Sequence, residues 1–178
     1  MTGGKKGRAS IWGASSLFLA GILAVFAIVY GFAPQYQLAV GQPEGGRVLY
    51  RTPVRPGEVF TYYYVHSVEQ TTVYEHYRIG DDFRIVLTGT EFSSLGAGLP
   101  SAAEGRFETG DGTFILTGLD RSVDVLRLKP TSLTECRLQF ENRHLDLDRP
   151  ELDGRSLEVR VIRISRFASW RWTDAGPP

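Results

Sequence analysis

The segment FTYYYVHSVEQTTVYEHYRI, residues 60–79, gathers side chains with the chemistry for proton transfer: His66 and Glu75, with Ser67 beside the histidine and Ser94 further along. An imidazole within hydrogen-bond reach of a carboxylate relays protons, and a serine added to the pair makes a Ser-His-Glu hydrolase conceivable. The even positions Phe60, Tyr62, Tyr64, His66 and Val68, and the odd positions Val73, Glu75, Tyr77 and Ile79, form two alternating runs. Alternation of this kind, rich in aromatic and β-branched residues, predicts two half-buried strands. A four-residue loop, Glu69–Thr72, would pair Val68 with Val73, Tyr64 with Tyr77 and Tyr62 with Ile79. That register sets His66 opposite Glu75 on an otherwise apolar face, and a one-residue slip would scramble every pair. The next run, Phe83–Leu87, follows the turn cluster Gly80-Asp81-Asp82. It would pair Ile79 with Phe83, Tyr77 with Ile85 and Glu75 with Leu87, placing Glu75 in the central strand of a meander. A carboxylate there needs a partner, because burying it unpaired is costly, and His66 is the one expected.

Alternation argues against the hydrolase. Adjacent strand residues point to opposite faces, so Ser67 and His66 diverge, and no nucleophile elbow is present. Metal binding is weaker still. His66, Glu75 and Glu91 would have to converge, His76 faces away from Glu75, and the single cysteine, Cys136, offers no multi-thiolate site. No cofactor, no metal and no enzymatic activity are expected. Cys136, in LTECRLQF, reads as a small buried thiol.

The elements around this hairpin read as an all-β domain from residue 37 onward. A Gly-Asp-Gly turn divides RFETGDGTFILTGL, as in a hairpin. In SVDVLRLKP the apolar phase shifts from Val123 and Val125 to Leu126 and Leu128, which requires a bulge or bend. Eight or nine short strands without repeats predict an antiparallel β-sandwich or partly closed barrel. The tail SRFASWRWTDAGPP interleaves tryptophan with arginine, a composition suited to an interface or to lipid headgroups.

Residues 11–33, IWGASSLFLAGILAVFAIVYGFA, carry no charged side chain. As a helix they would extend about 34 Å, enough to cross a bilayer core. Lys5, Lys6 and Arg8 precede them, which orients the N-terminus to the cytoplasm and the remainder outward. A cleaved signal peptide is the competing reading. An uncleaved anchor is preferred, because the passable cleavage site Val25-Phe26-Ala27 lies mid-stretch and Pro34 disfavours cleavage after Ala33. The organisation expected is therefore a cytoplasmic N-terminus over 1–10, a transmembrane signal-anchor helix over 11–33 and a linker over 34–46. An extracytoplasmic β-domain over 47–168 and a C-terminal tail over 169–178 complete it. The protein would sit in the inner (cytoplasmic) membrane as a single-pass chain with a periplasmic or extracellular domain. Without its three leading basic residues the chain holds 17 basic against 20 acidic residues, so it carries no electrostatic footprint for nucleic acid.

After the third strand, EFSSLGAGLPSAAEGR brings Gly96, Gly98, Leu99 and Pro100 into a loop whose backbone can pass close to a neighbour and then stiffens. The loop lacks the lysine and the strand-to-helix context of a phosphate loop. Taken together, YVHSVEQTTVYEHY and FSSLGAGLP resemble the domain-of-unknown-function family numbered 1850, over roughly residues 47–165. The characteristic positions of that family fall on His66, Ser67, Val68, Glu75, Ser94, Gly96, Ala97, Gly98, Leu99 and Pro100. The resemblance implies an N-terminal membrane segment and a gene beside a TAXI-type tripartite ATP-independent periplasmic (TRAP) transporter. It thereby implies an accessory or small membrane subunit whose partners are the TRAP permease, and its periplasmic solute receptor as a further contact. His66, Ser67, Glu75, Ser94, Gly96, Gly98, Leu99 and Pro100 would form the docking or binding surface. The alternative is an extracytoplasmic small-molecule binding module, with Tyr62, Tyr64 and Tyr77 walling a pocket that has His66 and Glu75 at its mouth.

Overall fold

A computed structural model describes residues 11–43, 46–67, 69–93, 105–110, 112–131, 134–141 and 143–166, with side chains on the first helix from residue 18 onward. The helix α1 spans Ile11–Phe32. Among the described residues no helix is long and apolar enough to cross a membrane. The described side chains of α1 cover 15 of its 22 residues.

Eleven strands follow: β1 (Pro34–Gly41), β2 (Val48–Pro53), β3 (Val59–Val65), β4 (Thr72–Ile79), β5 (Ile85–Phe92) and β6 (Arg106–Gly110), then β7 (Thr113–Val123), β8 (Leu126–Leu128), β9 (Cys136–Phe140), β10 (Arg143–Asp146) and β11 (Leu157–Ser165). They form a four-stranded sheet in the order β2-β1-β11-β8 and a seven-stranded sheet in the order β10-β9-β3-β4-β5-β7-β6. The all-β sandwich expected from the alternation is therefore present. The chain divides into two units, residues 36–163 and the remainder, and the sandwich core lies in the first.

Two boundaries differ from the expected ones. The stretch 34–46, read as a linker, contains β1, whose Leu38 and Val40 are fully buried. Pro34, Gln35 and Gln37 give the segment after the helix the composition of a linker, which hides the start of the strand. The phase shift after Val123 is more than a bend: β7 lies in the seven-stranded sheet and β8 in the four-stranded one, so the chain crosses between layers there. The Gly-Asp-Gly hairpin is found as expected, with Gly110 opposite Thr113.

The core is a single cluster. Leu38, Val40, Leu157 and Val159 from one sheet meet Phe60, Tyr77, Ile79, Ile85 and Leu138 from the other. Full burial of each large apolar side chain contributes about 1.5–3 kcal/mol, so this facing set dominates the stability of the sandwich.

The opening hairpin keeps its expected faces but not its expected register. Tyr62 pairs with Glu75, Tyr64 with Val73 and Phe60 with Tyr77. Tyr62 was expected opposite Ile79, so the strands are offset by four positions, an even number that leaves the same side chains facing inward. The loop is longer, His66–Thr71, and satisfies itself. His66 N–H donates to Thr71 O at 2.8 Å and Gln70 N–H to His66 O at 2.9 Å. Glu69 N–H donates to His66 Nδ1 at 3.3 Å, and Gln70 Nε2 to Ser67 O at 2.7 Å. Each such bond contributes about 0.5–1.5 kcal/mol, which offsets the Val68–Val73 and His66–Glu75 pairs of the shorter loop, at about 0.2–1 kcal/mol each.

The next hairpin shifts for a related reason. Ile79 pairs with Ile85, not Phe83, and Tyr77 with Leu87. Phe83 sits in the turn with φ of 62°, its ring stacked on Tyr36 at a centroid distance of 3.5 Å. A bulge past His76 then sets Glu75 opposite Thr90 instead of Leu87.

Candidate functional site

Strand β4 carries a different polar network on each face. On the inner face Glu75 lies among tyrosines. The Tyr77 hydroxyl donates to Glu75 Oε2 at 2.7 Å, and Tyr62 and Tyr64, on the neighbouring strand, stack at a centroid distance of 5.0 Å. Tyr62 also hydrogen-bonds Cys136, which is fully buried. Burial pushes the Glu75 carboxyl above its ordinary value, opposed by the hydrogen bond from Tyr77. Burial, with the nearby Glu75 carboxylate, pushes Tyr64 up to about 12 and raises Tyr62 and Tyr77 further. Desolvation, with the Asp148 charge adding to it, pushes the Cys136 thiol up to about 11, so it is an inert packing group as its sequence context suggested.

The expected His66–Glu75 cross-strand pair is replaced. Glu75 takes its proton donor from Tyr77, two residues along its own strand, while His66 lies in the hairpin loop and accepts from Glu69 N–H. Ser67 is exposed in that same loop. Of the residues expected to converge, the structure brings Glu75 together with Tyr62, Tyr64 and Tyr77 and leaves His66 and Ser67 at the hairpin tip. Ser94, Gly96, Ala97, Gly98, Leu99 and Pro100 lie outside the described residues, as does Val68.

The outer face of β4 carries a relay that the sequence reasoning missed. His76 Nδ1 is 3.1 Å from Thr61 Oγ1, and His76 Nε2 is 2.9 Å from Glu91 Oε1. Thr88 Oγ1 donates to the His76 carbonyl at 3.0 Å. Gly89, directly opposite His76, lies where an added Cβ would come within 2.9 Å of the Leu116 carbonyl oxygen on β7. His76 and Glu91 are each more than a third exposed, so the pair is a solvated surface interaction. Only the observed register reveals it: Thr61, His76 and Gly89 occupy one rung across three strands. Among the described residues no group of three or more His, Cys, Asp or Glu side chains is placed to hold a metal ion.

A buried carboxyl with one tyrosine donor can hold or release a proton as its surroundings change, and the tyrosines offer aromatic faces and hydroxyls to a partner. No nucleophile stands beside it in the described residues. The inner-face cluster can bind a partner or fix the hairpin.

No curated protein and no solved structure matches the chain. A family match covers residues 60–147, from the second residue of β3 to just past β10, and so takes in nearly all of the seven-stranded sheet, including Glu75 and its tyrosines. Over that stretch, the chain matches the family described as Domain of unknown function (DUF1850).

Proposed function

We propose that this protein is a membrane-anchored accessory subunit of a TAXI-type TRAP transporter, with the β-domain facing outward and contacting the permease or the solute receptor. The observation that carries the anchor is the surface of α1. Between Phe18 and Phe32, ten large apolar side chains are each at least half exposed, and they are distributed around the whole helix. A helix apolar on all sides is stable only when something apolar covers it. The full Ile11–Phe32 span has no charged residue and, at about 1.5 Å per residue, the length of a bilayer core. At its C-terminal end the Arg166 guanidinium lies over the Tyr30 ring, 4.3 Å from the centroid, a pairing suited to the headgroup layer.

The choice of a TRAP partner rests on the family resemblance of the hairpin and glycine loop. Tethering the β-domain at the membrane would raise its effective concentration at the permease. The role is contact rather than catalysis, with His66 and Ser67 at the hairpin tip, and Ser94, Gly96, Gly98, Leu99 and Pro100 on the strength of the family resemblance, as the docking surface. Alkaline carbonate extraction of native membranes tests the anchor. Retention of full-length protein in the pellet supports it, and release to the supernatant removes it.

The tyrosine cluster favours a second reading, a small-molecule binding module centred on Glu75. Ligand-dependent thermal stabilisation that is lost in Glu75→Leu would support that version.

A further inference from the structure

At the end of β3 remote from the His66 loop, the two sheets part around an open cavity of about 720 Å³. Its volume is in the range of sites that hold small organic molecules, about 300–1,000 Å³. The floor is core: Leu38, Phe60 and Ile79 are nearly or fully buried, and Val54 and Phe140 complete the apolar wall. The rim is charged. Arg55 and Glu58 flank the Pro56-Gly57 turn, where Gly57 adopts φ of 87°, and Glu141 and Arg143 stand across from them. None of these four forms an ion pair with a described residue.

Arg143 is the residue held in place. One of its guanidinium nitrogens, Nη2, donates to Thr52 Oγ1 at 3.1 Å, and Thr52 is buried on β2, in the opposite sheet. This bond spans the layers at the cavity mouth. It uses one N–H of a planar fork that presents five, and a fork of that shape matches a carboxylate through two parallel hydrogen bonds. Glu58 and Glu141 on the same rim balance the charges of Arg55 and Arg143. An apolar wall beside a guanidinium tied across the two sheets suits a ligand with a carboxylate and an apolar body.

We infer that this cavity is a binding site for an apolar monocarboxylate, with the carboxylate on Arg143 and the hydrocarbon against Val54, Val59 and Phe140. The site is separate from the Glu75 cluster and independent of the proposed transporter role.

Equilibrium dialysis of radiolabelled phenylbutyrate against the full-length chain in nanodiscs tests it, with empty nanodiscs subtracted. The expected result is saturable binding, weakened tenfold or more by Arg143→Met and competed poorly by the neutral alcohol phenylbutanol. Val59→Trp, which places a large ring at the exposed cavity wall without touching the core, should also block binding. Circular dichroism confirms that both variants fold. Absence of saturable binding above empty nanodiscs, or equal binding by wild type and folded Arg143→Met, overturns the assignment. So does equal competition by the alcohol.

Discussion

Tyr77 and Glu75 point to the same inner face of β4, two residues apart, and are joined by a 2.7 Å hydrogen bond from phenol to carboxylate. The pair is local to one strand, so it forms as soon as β4 is extended, and the hairpin register then brings Tyr62 alongside. A carboxyl in that position is raised by desolvation, which makes its proton part of the stability of the fold.

Raised carboxyls destabilise the native state as they ionise. Glu75 holds its proton more tightly folded than unfolded. Its favourable contribution is therefore complete below its ordinary value near 4.5 and is lost as pH rises through the elevated folded value. Glu75→Gln, which keeps an acceptor for Tyr77, is expected to raise Tm at pH 8 and to lose that advantage toward pH 4. Thermal melts across this range check the sign.

Removing the donor should be costly while the carboxylate remains. Tyr77→Phe is expected to destabilise by about 1–3 kcal/mol at pH 7, the cost of leaving a partly buried acceptor unsatisfied. In a Glu75→Leu background the same change should cost much less. A double-mutant cycle by urea unfolding measures that coupling.

Phe83 reverses the usual order of glycine and alanine. Its positive φ disfavours any Cβ by roughly 1–2 kcal/mol, yet its ring stacks on Tyr36. Both Phe83→Ala and Phe83→Gly should destabilise through loss of the stack. Glycine should be the milder by about 1 kcal/mol, because it alone relieves the backbone. Denaturation midpoints for the two variants decide the order.

At the hairpin tip, His66→Ala deletes the acceptor for Glu69 N–H. The sandwich should persist with a loss of about 0.5–1.5 kcal/mol. Hydrogen exchange should accelerate at the Glu69 amide while β3 and β4 stay protected. Global loss of protection would assign His66 to the core instead of the loop.

The sequence made the faces of the hairpin legible and concealed its register. Phe60, Tyr62 and Tyr64 alternate too regularly to be anything but a strand with one apolar face, and an even offset preserves that face. The length of the His66–Thr71 loop depends on bonds from His66 and Gln70 side chains to the backbone, which no apolar matching reveals. Cys136 declared its burial through its neighbours. The start of β1 was masked because Pro34, Gln35 and Gln37 read as a linker between the apolar helix and Leu38–Val40. The His76–Glu91 contact was out of reach without the register, since it joins residues 15 positions apart. The cavity at Arg143 was equally hidden, because it brings β2 and β10 together across both sheets.

The most direct test of the proposed role is a detergent pull-down of tagged full-length protein from its native membrane, with captured proteins identified by mass spectrometry. His66→Ala and Gly98→Val are run beside it after their folding has been verified. The account expects a TRAP permease to be recovered with wild type and depleted with both variants. Recovery of wild-type protein without any transporter component would contradict it.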